Sequence, residues 1–157
     1  MFDAKQYMEL QCLYAAYAAA VDSADWDGWI GMFADECEYK VQPRENYERG
    51  MPLATIALMS KGMLMDRAFG VRETLFHDPY YQRHVTGAPR ILKWEGDVIQ
   101  AEANYAVFRT KQNGESTVFN VGRYLDRIRV TGAGMKFESR LCIYDSEMIP
   151  NSLIYPI

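Results

Sequence analysis

Apolar residues in the first part of this chain keep a helical spacing, and those in the last part alternate. Leu10, Leu13, Tyr14, Tyr17 and Val21 recur along one helix face. Asp3 supplies an N-cap and Gln6 completes the capping-box pattern, so a first helix is expected over roughly residues 4–21. "DSADWDGWIGMF" reads as a short second helix burying Trp26, Trp29, Met32 and Phe33. "CEYKV" alternates Cys37, Tyr39 and Val41, as a strand does. Gly50 and Pro52 are expected to open a third helix, with Ile56, Met59, Met63 and Leu64 on its apolar side.

From about residue 90 the period becomes two. Ile99, Ala101, Ala103, Tyr105 and Val107 share one face of a long strand. Asn113-Gly114 is a hairpin signal, in which both turn positions take positive φ. "TVFNVGRYLDRIRV" returns, with Gly122 expected at a bulge. After "TGAGM", a last strand is expected to face Met135, Phe137, Leu141 and Ile143 inward. Helices followed by a meander of long strands predict an α+β domain. If the sheet curves strongly around the helices, the domain is cone-shaped. No linker or repeat divides residues 1–157, which read as a single domain.

Composition narrows the function classes. With 17 Lys+Arg against 21 Asp+Glu, no basic footprint points to nucleic acid. No apolar run reaches the roughly 18 residues that span a bilayer, and the N-terminus lacks the blocks of a signal peptide. Cys12, Cys37 and Cys142 are scattered and form no CxxC. They read as buried thiols in a reducing, cytoplasmic setting. The 11 tyrosines and 9 methionines suit a core, and also an interface.

"FHDPYYQRHVTGAPR" holds both histidines, His77 and His84, with Asp78 beside the first. Two histidines and a carboxylate compose the ligand set of a non-haem iron oxygenase. The spacing does not fit it: the histidines stand seven apart, and adjacent side chains on extended backbone point to opposite faces. A Rieske cluster needs two Cys and two His in paired short motifs, and no Cys-x-His pair occurs. Both histidines are therefore expected to be hydrogen-bonded to carboxylates or backbone. Neither a mononuclear iron site nor a Rieske cluster is expected in the chain.

Four blocks, in order, carry a resemblance. They are "DWDGWIGMFADECEYKVQPRENYERG", "LMDRAFGVRET", "STVFNVGRYLDRIR" and "FESRLCIYDSEMIPNSLIYPI". The order of elements resembles the cone-shaped fold of nuclear transport factor 2 and ketosteroid isomerase. The blocks resemble the small (β) subunits of Rieske-type aromatic-ring hydroxylating oxygenases. "QPRENYERG", "HDPYYQRH" and "YDSEMIPNSLIYPI" look most like salicylate 5-hydroxylase small subunits, with terephthalate dioxygenase next. "RHVTGAPR" departs from the H–x–x–x–N of many dioxygenase β subunits, which points toward the aromatic-acid branch.

The resemblance implies a structural subunit without chemistry of its own. The α subunit would hold the Rieske 2Fe-2S cluster and the mononuclear Fe(II), in an α3β3 hexamer with β–β contacts in a trimer. Ferredoxin and a reductase would bring electrons from NAD(P)H to α. A rival on the same fold is a self-sufficient isomerase or dehydratase, with Tyr17, Asp22, Tyr39, His84 and Tyr105 lining a pocket inside the cone. Against it, large inward Met and Phe side chains are expected to fill the cone, with Tyr17 and Tyr105 in the core and Asp22 in a solvated loop. A binding-only module of the nuclear transport factor 2 kind would leave the oxygenase blocks unexplained.

Interface candidates come from the Arg-rich middle segment and the apolar tail: Arg44, Arg67, Arg72, Arg83, Tyr155 and Ile157. Asp66–Arg67 and Asp126–Arg127 are expected as ion pairs within the chain.

Overall fold

A computed structural model of the chain describes residues 3–149 and 152–157. Helix α1 (Ala4–Asp22) opens on the expected capping box. The Asp3 carboxylate accepts from Gln6 N at 2.8 Å, and the Gln6 side chain accepts from Asp3 N at 3.0 Å. The helix buries Leu10, Tyr14, Tyr17, Ala20 and Val21. Asp25 then caps α2 (Trp26–Gly31) through Gly28 N, and Trp26 and Trp29 are buried. β1 (Phe33–Pro43) starts earlier than "CEYKV" and takes in Phe33, which lies in the strand rather than on the helix edge.

The expected third helix is where sequence and structure part. A short α3 (Arg44–Glu48) precedes it, and Ile56 belongs to a strand, β2 (Ile56–Leu58), paired antiparallel with β1 through Val41. The helix itself is α4 (Lys61–Phe69), and its cap is Ser60, whose hydroxyl accepts from Met63 N at 3.2 Å. Pairing with β1 overrides the helical spacing of Ile56 and Met59, and Met59 and Met63 are exposed while Leu64 is buried. α4 runs on into one π-helical turn (Gly70–Thr74), closed by Leu75 N donating to Gly70 O at 2.9 Å.

The remaining strands are β3 (Tyr80–Thr86), β4 (Arg90–Glu95), β5 (Val98–Lys111), β6 (Ser116–Thr131) and β7 (Gly134–Tyr144). Among the described residues they form a mixed seven-stranded sheet in the order β2-β1-β7-β6-β5-β3, with β4 also paired to β5. Only β1 and β7 run parallel. α1 packs on the inner face against β3 and β7, and α2 and α4 close it against β1. Ile99, Ala101, Ala103, Tyr105 and Val107 all face inward, as the alternation requires. In the β5–β6 turn Asn113 takes the positive φ, 58°, and Gly114 does not. The turn is a longer loop than the two-residue hairpin expected there.

Gly122 has a different task from the one expected. The β5–β6 register shift falls between Val107 and Phe108, opposite Phe119, not at Gly122. A Cβ on Gly122 would stand 1.8 Å from Ile143 O, a backbone atom of the neighbouring strand. Gly122→Ala therefore has to part β6 from β7. Its cost is expected at or above the upper end of the roughly 1–3 kcal/mol typical of overpacking. Chemical denaturation checks this, and a loss below about 0.5 kcal/mol, the scale of a neutral surface change, contradicts the close approach.

β7 also departs from simple alternation. Its register against β6 slips between Arg127 and Ile128, opposite Glu138. The extra residue turns Arg140, Cys142 and Tyr144 inward and leaves Leu141 half-buried. Leu141 is thus not the inward residue expected; Arg140 is.

Candidate functional site

The inner face of the sheet centres on a buried charge. Arg140 and Asp126 lie opposite each other on β7 and β6, and both side chains are fully excluded from solvent. The guanidinium donates to the carboxylate twice, from Nε at 2.9 Å and Nη2 at 2.7 Å. Tyr14 donates its hydroxyl to the same carboxylate. Four rings cage the cation, with their centroids 3.9 Å (Tyr124), 4.1 Å (Tyr17), 4.2 Å (Phe137) and 4.7 Å (Tyr14) from Cζ. Burial opposes the Arg140 charge, but Asp126 more than offsets it and holds the group well above its ordinary range. Burial, then the Asp126 charge, pushes the Tyr14 phenol up. The expected Asp126–Arg127 pair does not form, because Arg127 points to the other face and pairs with Glu138 at 2.9 Å.

The tail closes this interior. Leu153, Pro156 and Ile157 are buried. Ile157 N donates to the Tyr39 phenol at 2.7 Å, and Ile157 O accepts from Tyr17 at 2.5 Å and from Tyr39 at 3.1 Å. The Cys142 thiol lies 3.6 Å from the same oxygen, and burial pushes it up to about 12. Arg67 clamps the segment from outside, donating to Leu153 O at 3.0 Å and Ile154 O at 2.6 Å. The space a substrate would use holds Trp29, Phe33, Tyr39, Phe137, Arg140 and the tail itself. Aromatic rings and a caged arginine do the filling; of the methionines, Met135 is buried while Met8, Met51, Met59, Met63, Met65 and Met148 are exposed. Surface hollows of roughly 490 and 520 Å³ lie outside the cone, lined mainly by polar and charged residues such as Asp35, Arg127, Arg44 and Asp145.

Some residues of the rival reading do meet. Asp22 is the last residue of α1, not part of a solvated loop, and its carboxylate accepts from His84 Nδ1 at 2.5 Å and His84 N at 2.9 Å. Both side chains are buried, and His84 Nε2 has no hydrogen-bond partner among the described residues. Tyr105 donates to Asn120 Oδ1 at 2.7 Å and stacks on Tyr124 at 4.4 Å. A carboxylate-oriented imidazole is a general base in outline. Here it clasps the end of α1 to the edge strand β3, with the Tyr17 ring packed beside it.

An iron site does not fit the same histidines. His84 Nδ1 is held by Asp22, His77 Nε2 lies 2.6 Å from the Tyr155 hydroxyl, and Asp78 pairs with Lys111 at 3.3 Å. Each residue of that set thus faces a different partner.

The interface candidates divide by environment. Arg67 and Ile157 bind within their own chain, and Tyr155 is half-buried against Trp26, His77 and Tyr80. Arg44 is exposed and paired with Glu48 at 2.7 Å, and Arg72 with Asp27 at 3.3 Å. Arg83 is exposed. Arg67 binds tail carbonyls rather than Asp66, because the tail lies over it. Cys37 and Cys142 are buried as expected, but Cys12 sits on an outward position of α1 and is exposed. Sequence reasoning missed the Arg140–Asp126 pair altogether.

Helices laid over one curved mixed sheet, with an interior closed by the chain's own tail, define the cone-shaped α+β class. The SnoaL-like domain family matches residues 3–141. The chain is 30% identical over 155 residues to the anthranilate 1,2-dioxygenase small subunit of Burkholderia cepacia, covering 99% of this chain and 96% of that protein. It is 30% identical over 152 residues to a terephthalate 1,2-dioxygenase terminal oxygenase subunit, beta 1, of a Comamonas species, covering 96% and 97%. A solved structure from Novosphingobium aromaticivorans DSM 12444, assigned as the β subunit of an aromatic-ring-hydroxylating dioxygenase, superimposes with a TM-score of 0.88 at 37% identity, covering 96% and 95%. The chain therefore belongs to the SnoaL-like proteins, and within them to the small (β) subunits of aromatic-ring-hydroxylating dioxygenases. It is a subunit of an oxidoreductase. No helix among the described residues is long and apolar enough to cross a membrane.

Proposed function

We propose that this chain is the non-catalytic structural β subunit of a Rieske-type oxygenase that hydroxylates an aromatic acid in the cytoplasm. The α partner holds the Rieske 2Fe-2S cluster and the mononuclear Fe(II), and ferredoxin and reductase deliver electrons to it. The assembly is an α3β3 hexamer with β–β contacts in a trimer. The observation that carries this is the filled cone. An interior occupied by Arg140, its ring cage and the tail offers a reacting molecule no place, while the whole length matches oxygenase small subunits. Anthranilate and terephthalate, named for the relatives, are aromatic carboxylates. Salicylate is the substrate proposed here, on the resemblance of the blocks that flank α3, β3 and the tail.

The test is co-expression with a Rieske α subunit, followed by sizing and hydroxylation of salicylate. The hexamer is expected to turn over and the chain alone is not. A chain that never associates with any Rieske α subunit overturns the proposal.

The Asp22–His84 pair gives the isomerase reading its one support, and His84→Gln separates the two. In the structural role it lowers the melting temperature or the yield of hexamer and leaves turnover per intact hexamer within a few-fold. A loss of roughly a thousandfold with assembly intact, the scale of general acid–base help, restores a catalytic role.

A further inference from the structure

Two exposed apolar patches each contain charge that nothing among the described residues answers. The first is the outer face of β3, β5 and β6. The registers place Val85, Ala106 and Val121 in one row and Arg83, Phe108 and Val118 in the next. Tyr81 continues the patch along β3. Tyr81, Val85, Val118 and Val121 are 78, 57, 60 and 40% exposed. Arg83 stands in the middle of them. The other exposed arginines among the described residues lie within ion-pair distance of a carboxylate, as Arg44, Arg49, Arg72, Arg90 and Arg127 do. Arg83 is exposed, and among the described residues its guanidinium has no carboxylate partner.

The second patch is the outer ridge of α4 and the π-helical turn. Met65, Phe69, Leu75 and Phe76 are 57, 61, 41 and 103% exposed. Met65 and Phe69 stand one helical turn apart, and the π-turn carries the ridge on toward Phe76. Asp66 and Glu73 sit among these side chains, exposed, and neither has a cationic partner among the described residues. One patch is apolar with an unanswered cation; the other is apolar with two unanswered carboxylates.

We infer that the β3–β5–β6 face of one chain docks on the α4 ridge of a second copy, with Arg83 of one chain meeting Asp66 and Glu73 of the next. Brought together, the two halves have the make-up of an interface core, aromatic and Met side chains around one arginine. An arginine desolvated by such a contact needs a carboxylate opposite it, and a planar guanidinium can engage one with two hydrogen bonds. Because the two patches differ, the contact is head-to-tail and leaves one free patch on each partner, the ridge on one and the sheet face on the other. Repetition of such a contact builds a ring where its rotation closes, rather than stopping at a two-fold dimer. The inference rests on the proposed β-subunit reading for the size of that ring, three, but the pairing of patches does not depend on it.

Charge reversal tests the contact in both directions. The probes are Arg83→Glu, the pair Asp66→Arg with Glu73→Arg, and all three together, each purified alone and each co-expressed with the α partner. All these positions are exposed, so thermal melts of the variants are expected to match the parent. Sedimentation velocity is expected to show a trimer for the parent. Either reversal alone is expected to weaken association by about 30-fold or more, the scale of leaving a desolvated charge unpaired at an interface, and the triple variant is expected to recover most of it. A parent chain that stays monomeric at every concentration, or single reversals that leave the trimer intact, overturns the inference. So does a triple variant that stays as dissociated as the single reversals, since the patches then do not face each other. If Arg83→Glu abolishes capture by α while the β trimer persists, the sheet face belongs to α and the inference fails with the β-subunit reading intact. If the charge swap behaves as expected but no version of the chain captures a Rieske α subunit, the ring stands and the β-subunit reading fails.

Discussion

Asp126→Asn is expected to cost about 3–5 kcal/mol of stability, the usual penalty for removing one partner of a buried ion pair. The substitution keeps the size of the side chain and removes its charge. Arg140 then remains fully buried, caged by Tyr14, Tyr17, Tyr124 and Phe137, with no anion against it. The rings offset part of the loss, because a desolvated cation over an aromatic face gains up to about 2 kcal/mol. They do not replace two charge-assisted hydrogen bonds. For a chain of this size each kcal/mol lowers the melting temperature by roughly 2–4 °C, so a fall of about 10 °C is expected. The companion variant removes the polar set together: Asp126→Leu, Arg140→Met and Tyr14→Phe, the last so that no hydroxyl loses its acceptor. It should lose much less than Asp126→Asn, because apolar replacements of similar volume end the desolvation cost of both charges. Denaturant titrations of the two variants decide the matter. If Asp126→Asn stays within about 1 kcal/mol of the parent, the scale of an ordinary hydrogen bond, the pair is not what holds the interior together.

That pair also marks the limit of what periodicity can reveal. β5 was legible because its alternation is unbroken: five inward residues in sequence are five inward residues in the sheet. β7 was legible only up to Phe137. The bulge at Glu138 inserts one residue, and every side chain after it changes face. No local pattern announces such a slip, which is set by how β6 and β7 pair. Only the register brings Asp126 opposite Arg140. The misread third helix has the same origin. Ile56 keeps helical spacing with Met59 and Met63, but its backbone is paired with Val41 of β1. There a usable signal was present, since Ser60 before Lys61 is an ordinary N-cap. The Asp22–His84 contact joins positions 62 residues apart, and it appears once α1 and β3 are packed together. The family, by contrast, was legible from blocks spread over the whole chain, because blocks report ancestry without requiring the packing to be known.

Ending the chain at Asn151 is expected to have the largest effect of all. The deletion removes Leu153 and Ile157, which are 8% and 0% exposed. Burying such side chains contributes roughly 1.5–3 kcal/mol each. It also takes away the main-chain groups that satisfy Tyr17 and Tyr39, and a buried hydroxyl left without a partner costs about 1–3 kcal/mol unless water reaches it. These contributions together are on the order of 5 kcal/mol or more, comparable with the lower end of the whole stability of a natural domain. The truncated chain is therefore expected to be largely insoluble, or to bind a hydrophobic dye and melt far below the parent. Arg67→Met provides the graded version. It keeps every tail residue and removes only the clamp on Leu153 O and Ile154 O, so a loss of a few kcal/mol with a folded, soluble chain is expected. Co-expression with the α partner carries the same question to function. If the tail is an internal part of the cone, truncation lowers capture by α in step with the loss of folded β, while the Rieske absorbance of any surviving α is unchanged. A truncated chain that melts with the parent and still assembles into a fully active hexamer would show that the cone holds itself together without its plug.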